Sequence, residues 1–321
     1  MPFATVTIMI CLLFSATAYS GDTPSNANDA DNTGNNTGNT KNTVTAENKE
    51  FHRILTFARF ANAAYQSDTA VNQLVENSRY AITTIKTIDN SFIRFYVATD
   101  QSTKSQLVAI RGTSNVENAL VDLDAQLIPH NTLGIKLHRG FTTAATQISN
   151  ELAKILDKSH TIHLTGHSLG GAIAVILAMD LSARGYNVGE VVTFGQPKVT
   201  NMLGARKFSQ LNISRIVSDT DVVPLVPPVD FLDLAKLDIY WHLGKEIVLF
   251  PGKFYSKLEG LKSMMRGLTF INKRFSEDDL YAHQMTTYIN LINDKLSTNT
   301  AIPYDDRQRY LSGTRRQGGY F

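Results

Sequence analysis

The stretch TIHLTGHSLGGAIAVILAM, Thr161 to Met179, constrains the fold more than any other part of the chain. The residues before Gly166 alternate and include β-branched types, which predicts a strand, whereas the apolar residues after it follow helical spacing. Ser168 therefore lies in a sharp turn, where the Cβ atoms of flanking residues would clash. Gly166 and Gly170 remove those atoms and leave Ser168 at a helix N-terminus. This pattern is the G-x-S-x-G nucleophile elbow.

A glycine-rich turn of a nucleotide-binding fold is the alternative interpretation of this stretch. It is disfavoured because the chain has neither a G-x-G-x-x-G pattern nor a Walker A lysine beside it. In the second half of the chain, predicted strands alternate with predicted helices, which favours an α/β fold with a largely parallel central sheet and helices on both faces.

The length and charge of the chain limit its class. It has 321 residues, of which 43% are hydrophobic, enough for one large domain with a substantial core. The formal net charge is only +2, which argues against nucleic acid as a partner.

The first twenty residues, MPFATVTIMICLLFSATAYS, form an apolar run that ends in small residues. We interpret residues 1–20 as a signal peptide and expect a secreted or periplasmic protein. Because no Lys or Arg precedes the run, an uncleaved N-terminal membrane anchor is the alternative. Cys11, the only cysteine of the chain, lies in this run. The processed chain would therefore have no disulfide and no thiolate metal site.

Composition divides the rest of the chain into three parts. Residues 21–48 are rich in Asn, Thr and Gly, which predicts a disordered linker. Residues 49–296 carry the predicted strands and helices of the α/β domain. Residues 297–321 form a polar C-terminal tail to which the sequence assigns no role.

A nucleophilic serine needs a histidine as base and a carboxylate that orients the histidine. In folds with this elbow the carboxylate follows the serine and the histidine comes last. Of the eight histidines, only His242 and His283 follow Ser168. His242 lies in an apolar, strand-like segment typical of a packed histidine, whereas His283 lies at the start of an amphipathic helix. We therefore predict His283 as the base.

Two aspartates in DTDVVPLVPP are candidates for the carboxylate, Asp219 and Asp221. The segment follows a predicted strand, and parallel sheets place their chemistry at the carboxyl ends of strands. We predict Asp221 because Val222, Val223 and Pro224 would fix the backbone immediately after it. Asp219 remains open as the alternative, and either residue could simply be a turn aspartate.

The oxyanion of an acyl-transfer intermediate needs amide donors that are fixed in advance. One predicted donor is the backbone N–H of Leu169, which follows the nucleophile. The second is expected at the end of the strand QLVAIRGT, where Thr113 offers an N–H and a hydroxyl. Taken alone, this second segment could equally be an ordinary turn.

Several motifs together resemble the class 3 lipases, the fungal-lipase-like branch of the α/β-hydrolases. The resemblance runs from about Phe57 to about Ile292. Its motifs, in the order in which they occur in that family, are AIRGTSNVENALVDLDA, LHRGF, TGHSLGGA, VVTFGQPKV, DTDVVPLVPP, YWHLGKE and AHQMTTYI.

The resemblance implies roles for individual residues. It implies a catalytic triad of Ser168, Asp221 and His283, with Thr113 and Leu169 as the oxyanion donors, and it matches His242 to a non-catalytic position. The expected activity is carboxylester hydrolysis, most simply of triacylglycerol at a lipid–water interface. No metal, cofactor or stable protein partner is expected. A phospholipase A1, an esterase for soluble esters and an inactive binding protein are the alternatives.

Two segments bear on contact with lipid. The segment after Thr113, where the family usually places its lid, is short and weakly amphipathic, which puts interfacial activation in doubt. Farther along, the segment PGKFYSKLEGLKSMMRGLTFINKRF places apolar against basic residues in a helical pattern. A basic amphipathic helix of this kind could dock on an anionic lipid surface. We favour the simpler interpretation of a helix with one face packed on the sheet. The apolar residues are Leu258, Leu261, Met264, Met265 and Leu268, and the basic residues are Lys253, Lys257, Lys262 and Arg266.

Overall fold

Five parallel strands organise the central sheet of the described part of the chain. The structure, a computed structural model, describes residues 46–88, 93–113, 126–227, 238–268 and 277–312. These residues all belong to one compact unit, 44–321. The predicted signal peptide, most of the predicted linker and the segment expected to hold a lid, 114–125, lie outside the described residues.

The strands are given first, in chain order. They are β1 (Ala81–Thr87), β2 (Arg94–Asp100), β3 (Ser105–Ile110), β4 (Leu127–His130), β5 (Ile135–His138), β6 (Thr161–His167), β7 (Asn187–Phe194), β8 (Thr200–Asn201), β9 (Asn212–Ser218), β10 (Tyr240–Trp241), β11 (Lys245–Leu249), β12 (Phe254–Leu258) and β13 (Thr300–Ala301).

The helices are also given in chain order. They are α1 (Ala46–Ala63), α2 (Asp68–Glu76), α3 (Arg139–Leu152), α4 (Leu169–Ala183), α5 (Met202–Lys207), α6 (Gly260–Leu268), α7 (Glu277–Ala282), α8 (Met285–Asn293) and α9 (Arg307–Leu311).

The main sheet has the strand order β1-β2-β3-β6-β7-β9-β11-β12-β13. Strands β3, β6, β7, β9 and β11 run parallel, and antiparallel strands flank them on both sides. A smaller sheet of β10, β8, β5 and β4 is antiparallel. The predicted fold class, a largely parallel sheet in an α/β architecture, is confirmed.

Side chains that alternate along the strands form two apolar layers, one on each face of the sheet. Phe95 and Val97 of β2 belong to one buried cluster with residues of α3 and α4, whereas Tyr96 and Ala98 belong to a second cluster with residues of α1, α2 and α8. Because neighbouring side chains of a strand point to opposite faces, both faces of the sheet are covered. Helix α4 is buried on all sides from Gly170 to Leu181, as expected for a helix that is apolar all round.

The structure changes two boundaries drawn from composition. Helix α1 begins at Ala46, inside the segment predicted as linker. The tail predicted from residue 297 contributes β13, which pairs with β12, and Ile302 packs against Val248 and Phe250. One buried isoleucine anchors this segment although its composition is polar.

The helix expected in PGKFYSKLEGLKSMMRGLTFINKRF does not begin where its pattern indicated. Lys257 and Leu258 lie on strand β12, and only Gly260–Leu268 is described as a helix. The face that α6 buries is also not the expected one. Ser263 and Arg266 are buried, whereas Leu261 and Met265 are 55% and 53% exposed. Arg266 is drawn inward by an ion pair with Glu246, in which its Nε lies 2.8 Å from Oε1.

Candidate active site

Ser168 occupies the turn between β6 and α4, as the glycine pattern predicts. Its backbone is in the left-handed region, at φ 58° and ψ −130°, which costs a non-glycine residue of order 1–3 kcal/mol and is typical of functional sites. A Cβ at Gly166 would lie 2.4 Å from the carbonyl of Gly170, and one at Gly170 would lie 2.3 Å from the carbonyl of Ile110. Only glycine fits on either side of the serine, so the turn holds Ser168 in a strained, fixed position.

Asp221 and His283 are brought together by the fold. His283 lies between α7 and α8, and its Nδ1 is 2.8 Å from Oδ2 of Asp221. Asp221 follows β9 and is fully buried, and its Oδ1 accepts the N–H of Val223 at 2.9 Å. That bond agrees with the reason for predicting Asp221, namely a backbone fixed by the residues immediately after it.

The end of β7 leaves space for this pair. Gly195 has a φ of +56°, and a Cβ there would lie 2.7 Å from Cε1 of His283 and 2.9 Å from Oδ2 of Asp221. The second ring nitrogen of His283, Nε2, is buried and has no hydrogen-bond partner among the described residues. It is therefore available to a nucleophile, although it is not hydrogen-bonded to Ser168 in this structure. Loose contacts of this kind are common in the absence of substrate.

The two alternatives considered from sequence lie elsewhere. Asp219 is partly exposed and lies 3.8 Å from Nε of Arg307. His242 is bound through Nε2 to the carbonyl of Pro224 at 2.7 Å. Neither contacts His283 in any interaction that the structure describes.

The predicted oxyanion residues lie at the same edge of the sheet. Leu169 is the first residue of α4, and Thr113 follows β3. Thr113 and His283 both line a cavity of about 320 Å³, whose walls also include Tyr65, Leu280 and Met285. A cavity with apolar walls and a few convergent polar groups is the ordinary form of a ligand site.

A chain of hydrogen bonds, not foreseen from sequence, joins the oxyanion turn to His283. The N–H of Gly112 donates to the hydroxyl of Tyr65 at 3.1 Å, and that hydroxyl lies 2.9 Å from Nδ1 of His167. Nε2 of His167 lies 2.6 Å from the carbonyl oxygen of His283. Since a carbonyl only accepts, Nε2 carries the proton and Nδ1 accepts from Tyr65.

The surroundings keep His167 neutral. Burial and the neighbouring His283 hold the pKa of His167 well below its ordinary value, and burial raises the pKa of Tyr65. Sequence reasoning assigned neither His167 nor Tyr65 to the site.

Tyr288 is a second residue that sequence reasoning missed. Its hydroxyl donates to Oδ2 of Asp221 at 2.5 Å and accepts the N–H of Ser218 at 3.2 Å. Burial, followed by the Asp221 carboxylate, raises the pKa of Tyr288 well above its ordinary value. Tyr288 therefore remains a neutral donor that holds Asp221 in place. It lies five residues after His283, on the buried face of α8. This position indicates a contact with Asp221 only when the fold is already known.

No helix within the described ranges is long and apolar enough to cross a bilayer. Within the same ranges, no three His, Cys, Asp or Glu side chains are grouped closely enough to hold a metal ion.

The sequence of this chain is similar to those of known lipases and phospholipases. The sequence profile of Lipase (class 3) matches residues 107–231. The lipase of Rhizomucor miehei is 34% identical over 158 residues, which are 45% of this chain and 44% of that protein. Phospholipase A1-II 1 of Oryza sativa subsp. indica is 27% identical over 252 residues, 64% of this chain and 62% of that protein. The chain thus spans less than two thirds of the length of either relative.

Solved structures agree with this assignment. A structure described as a triacylglycerol lipase whose catalytic centre is a serine protease triad is 26% identical, with a TM-score of 0.56, and the match covers 64% of this chain and 82% of that one. Profile, relatives and fold agree with one another. The chain is similar to the class 3 lipases over its central part, and it has the α/β-hydrolase fold.

Proposed function

We propose that the protein is a serine carboxylester hydrolase that acts through Ser168, His283 and Asp221. The observation that carries the proposal is the 2.8 Å hydrogen bond between Asp221 and His283, with the unpartnered Nε2 of His283 on the other side of the ring. A strained serine at a nucleophile elbow completes the set. A buried aspartate on one ring nitrogen and a free second nitrogen are what a general base for serine needs.

The mechanism follows from the roles of these groups. His283 Nε2 takes the proton of Ser168 as its Oγ attacks the ester carbonyl carbon, and the N–H groups of Leu169 and Thr113 stabilise the oxyanion. The protonated histidine then gives its proton to the leaving alcohol, and an acyl-enzyme remains. Water, deprotonated by the same histidine, releases the carboxylic acid and restores Ser168. Asp221 fixes the tautomer of His283 and stabilises its charged form. No step needs a metal or a cofactor.

Triacylglycerol is the first choice of substrate, because the fungal relatives are named lipases. The second choice is a phospholipid ester, since the match to the rice phospholipase A1 extends over more of this chain. The cavity walls at Leu280 and Met285 suit an acyl chain in both cases. A soluble ester is the third alternative.

The test compares the purified protein with its Ser168→Ala variant on emulsified triacylglycerol, phospholipid vesicles and a short soluble ester. Release that depends on Ser168 identifies the enzyme, and the preferred substrate identifies its class. Release that survives the substitution contradicts the proposal. Labelling by an organophosphonate ester separates an enzyme from an inactive binding protein, because only an activated serine forms the adduct.

We further propose that the protein is exported, with residues 1–20 as a signal peptide and with a linker before the hydrolase domain, whose first helix begins at Ala46. The mass of the protein recovered from cells and from medium tests this. Loss of the first 20 residues from the exported protein supports it, and an intact N-terminus in the membrane fraction supports the anchor instead.

A further inference from the structure

A second group of charged side chains is buried away from the triad. Lys198 follows β7, Arg215 is on β9 and Arg266 is on α6, and each is at most 4% exposed. Together with His242, which precedes β11, we call these four residues the basic cluster. Of the residues that the structure describes, Glu246 of β11 is the carboxylate buried among these four, and it is 1% exposed. Burial of charge without an opposite charge nearby is costly, so the numbers of positive and negative charges in this group must be compared.

The carboxylate does not balance the cations. Glu246 binds Nε of Arg266 at 2.8 Å, and its Oε2 lies 3.6 Å from Nη2 of Arg215. No carboxylate within the described ranges binds Lys198, and its ammonium donates to the carbonyls of Leu225 and Pro227. Asp219 acts on Arg266 from the exposed side, but it is shared with Arg307, 3.8 Å away. Counted over the part of the chain that the structure describes, the interior beside Lys198 therefore has an excess of positive charge.

An enclosed cavity lies against the basic cluster. Lys198, Arg215, His242 and Ser263 line it, and it has room for one water-sized particle. Nη1 of Arg215 and Nδ1 of His242 are both buried without a hydrogen-bond partner among the described residues. The other donors of Arg215 are engaged, since Nε donates to the carbonyl of Leu243 at 3.0 Å and Nη2 to the hydroxyl of Ser263 at 2.7 Å. A buried guanidinium N–H left open beside a cavity needs an acceptor inside it.

Helix α6 turns its polar face toward the basic cluster and leaves apolar side chains exposed. It buries Ser263 and Arg266 and leaves Leu261 and Met265 more than half exposed. A helix that only covered the sheet would have the opposite orientation, because apolar burial is the main source of its stability. The polar face of α6 is thus specified by the cavity and the ions around it.

A surface groove lies next to the cavity, and the two share Trp241, His242, Gly244 and Gly260 in their walls. The groove is also lined by Arg206, Lys245 and Glu259. Two of its three charged side chains are basic, which favours the approach of an anion.

We propose that this cavity binds one small monovalent anion, of the size of chloride, and that the anion enters together with a proton on the basic cluster. Arg215 Nη1 donates to the anion directly. In neutral His242 the proton is on Nε2, which donates to the carbonyl of Pro224, so Nδ1 can donate to the anion only once it is protonated. A single water, which can accept from Arg215 and donate to Nδ1, is the competing occupant.

The electrostatics agree with uptake of a proton. Burial, together with Arg215, Lys198 and Arg266, holds the pKa of His242 well below its ordinary value. Burial, Arg215 and Arg266 lower the pKa of Lys198 to about 7, although Glu246 acts in the opposite direction. An anion among these groups favours the protonated form of both. Its binding must therefore strengthen as the pH falls.

The experiment measures thermal unfolding of the full chain in sodium chloride and in sodium gluconate at equal ionic strength, at pH 8 and pH 6. We expect chloride to raise the unfolding midpoint over gluconate by about 2–4 °C at pH 6, saturating in the millimolar range, with a smaller effect at pH 8. Bromide should act like chloride. Equal midpoints in the two salts at both pH values would overturn the proposal and leave water as the occupant.

Two lysine variants separate the site from general effects of salt. Lys198→Met should remove the difference between chloride and gluconate. Lys295→Met is the matched control, since Lys295 is also fully buried and donates to the carbonyls of Phe250, Gly252 and Leu291. None of these residues lines the cavity. It should unfold at a lower temperature yet retain the chloride effect. If Lys198→Met does not fold, broadening of the ³⁵Cl resonance by the wild-type protein, reversed by bromide, tests the same binding, and no broadening contradicts it.

Discussion

Asp219 and Asp221 are two residues apart and have opposite surroundings. Asp221 is fully buried and bound by His283, Tyr288 and the N–H of Val223. Asp219 is at the protein surface beside Arg307. Only a carboxylate with fixed donors on both oxygens can orient an imidazole, so this difference in contacts separates two residues that look alike in the sequence.

We predict that Asp221→Asn lowers kcat by about 10⁴-fold, because the amide supports the wrong tautomer of His283. Asp219→Asn should retain kcat within a few-fold, since Asp219 lies beside Arg307 and Tyr304, outside the site. Turnover of a short soluble ester measures both, and circular dichroism checks that each variant is folded. A reversed pair of results would transfer the role of the acid to Asp219.

Tyr288 allows a second prediction. Tyr288→Phe removes the donor to Asp221 and the acceptor of the Ser218 N–H, which should destabilise the protein by about 1–3 kcal/mol. It should also lower kcat with little change in KM, because Asp221 loses a contact that positions it. Urea unfolding and steady-state kinetics measure the two effects.

Tyr96→Phe is the control for this substitution. Tyr96 is equally buried, and its hydroxyl donates to the carbonyl of Phe60 at 2.8 Å, on α1 rather than at the triad. It should lose stability and keep kcat. If both variants lose kcat equally, Tyr288 has no particular effect on Asp221.

The elbow between β6 and α4 depends on close contact between two backbones. Gly170 is the second residue of α4, and a Cβ there would lie 2.3 Å from the carbonyl of Ile110 on β3. Gly140 is the second residue of α3, and a Cβ there would meet nothing closer than 3.6 Å. The two glycines thus hold the same helical position with opposite steric demands.

We predict that Gly170→Ala destabilises the protein by more than about 2 kcal/mol, because the backbone of β3 or of the elbow must shift. Gly140→Ala should be neutral or stabilising by up to about 1 kcal/mol, since alanine is the better helix former. Urea unfolding compares the two variants. Similar losses for both would mean that the elbow tolerates a side chain at this position.

The accuracy of the sequence predictions depends on how far apart the interacting residues lie in the chain. The elbow is local, so its glycines and alternation predict it correctly. Asp221 is predicted from the three residues that follow it. By contrast, Tyr65 lies 102 residues from its partner His167, and no local pattern indicates that contact. The prediction of the buried face of α6 is wrong for the same reason. Periodicity predicts a helix, but it cannot show that Glu246, distant in the chain, draws Arg266 inward.

For the molecule as a whole, buried histidines connect stability to pH. His167 and His242 are both held well below their ordinary pKa by burial, and His163 is lowered to a smaller extent by partial burial, Arg79 and Arg53. The unfolded chain takes up protons on these residues near pH 6.5, whereas the folded protein does not until the pH is much lower. Between pH 6.5 and that lower pH the unfolded state binds more protons than the folded state, so acid must destabilise the fold.

We therefore predict that the free energy of unfolding falls most steeply between pH 6 and pH 5. A shallower decrease around pH 7 comes from Lys198, because its pKa of about 7 in the folded protein lies below the ordinary value. Two buried histidines give a slope of up to about 2.7 kcal/mol per pH unit. Urea unfolding in gluconate buffer measures it without an anion that fits the cavity. His242→Gln should remove about half of the slope, whereas substitution of the exposed His52 by Gln should leave it unchanged. A wild-type slope near zero in this range would mean that the folded protein protonates His167 and His242 as readily as the unfolded chain does.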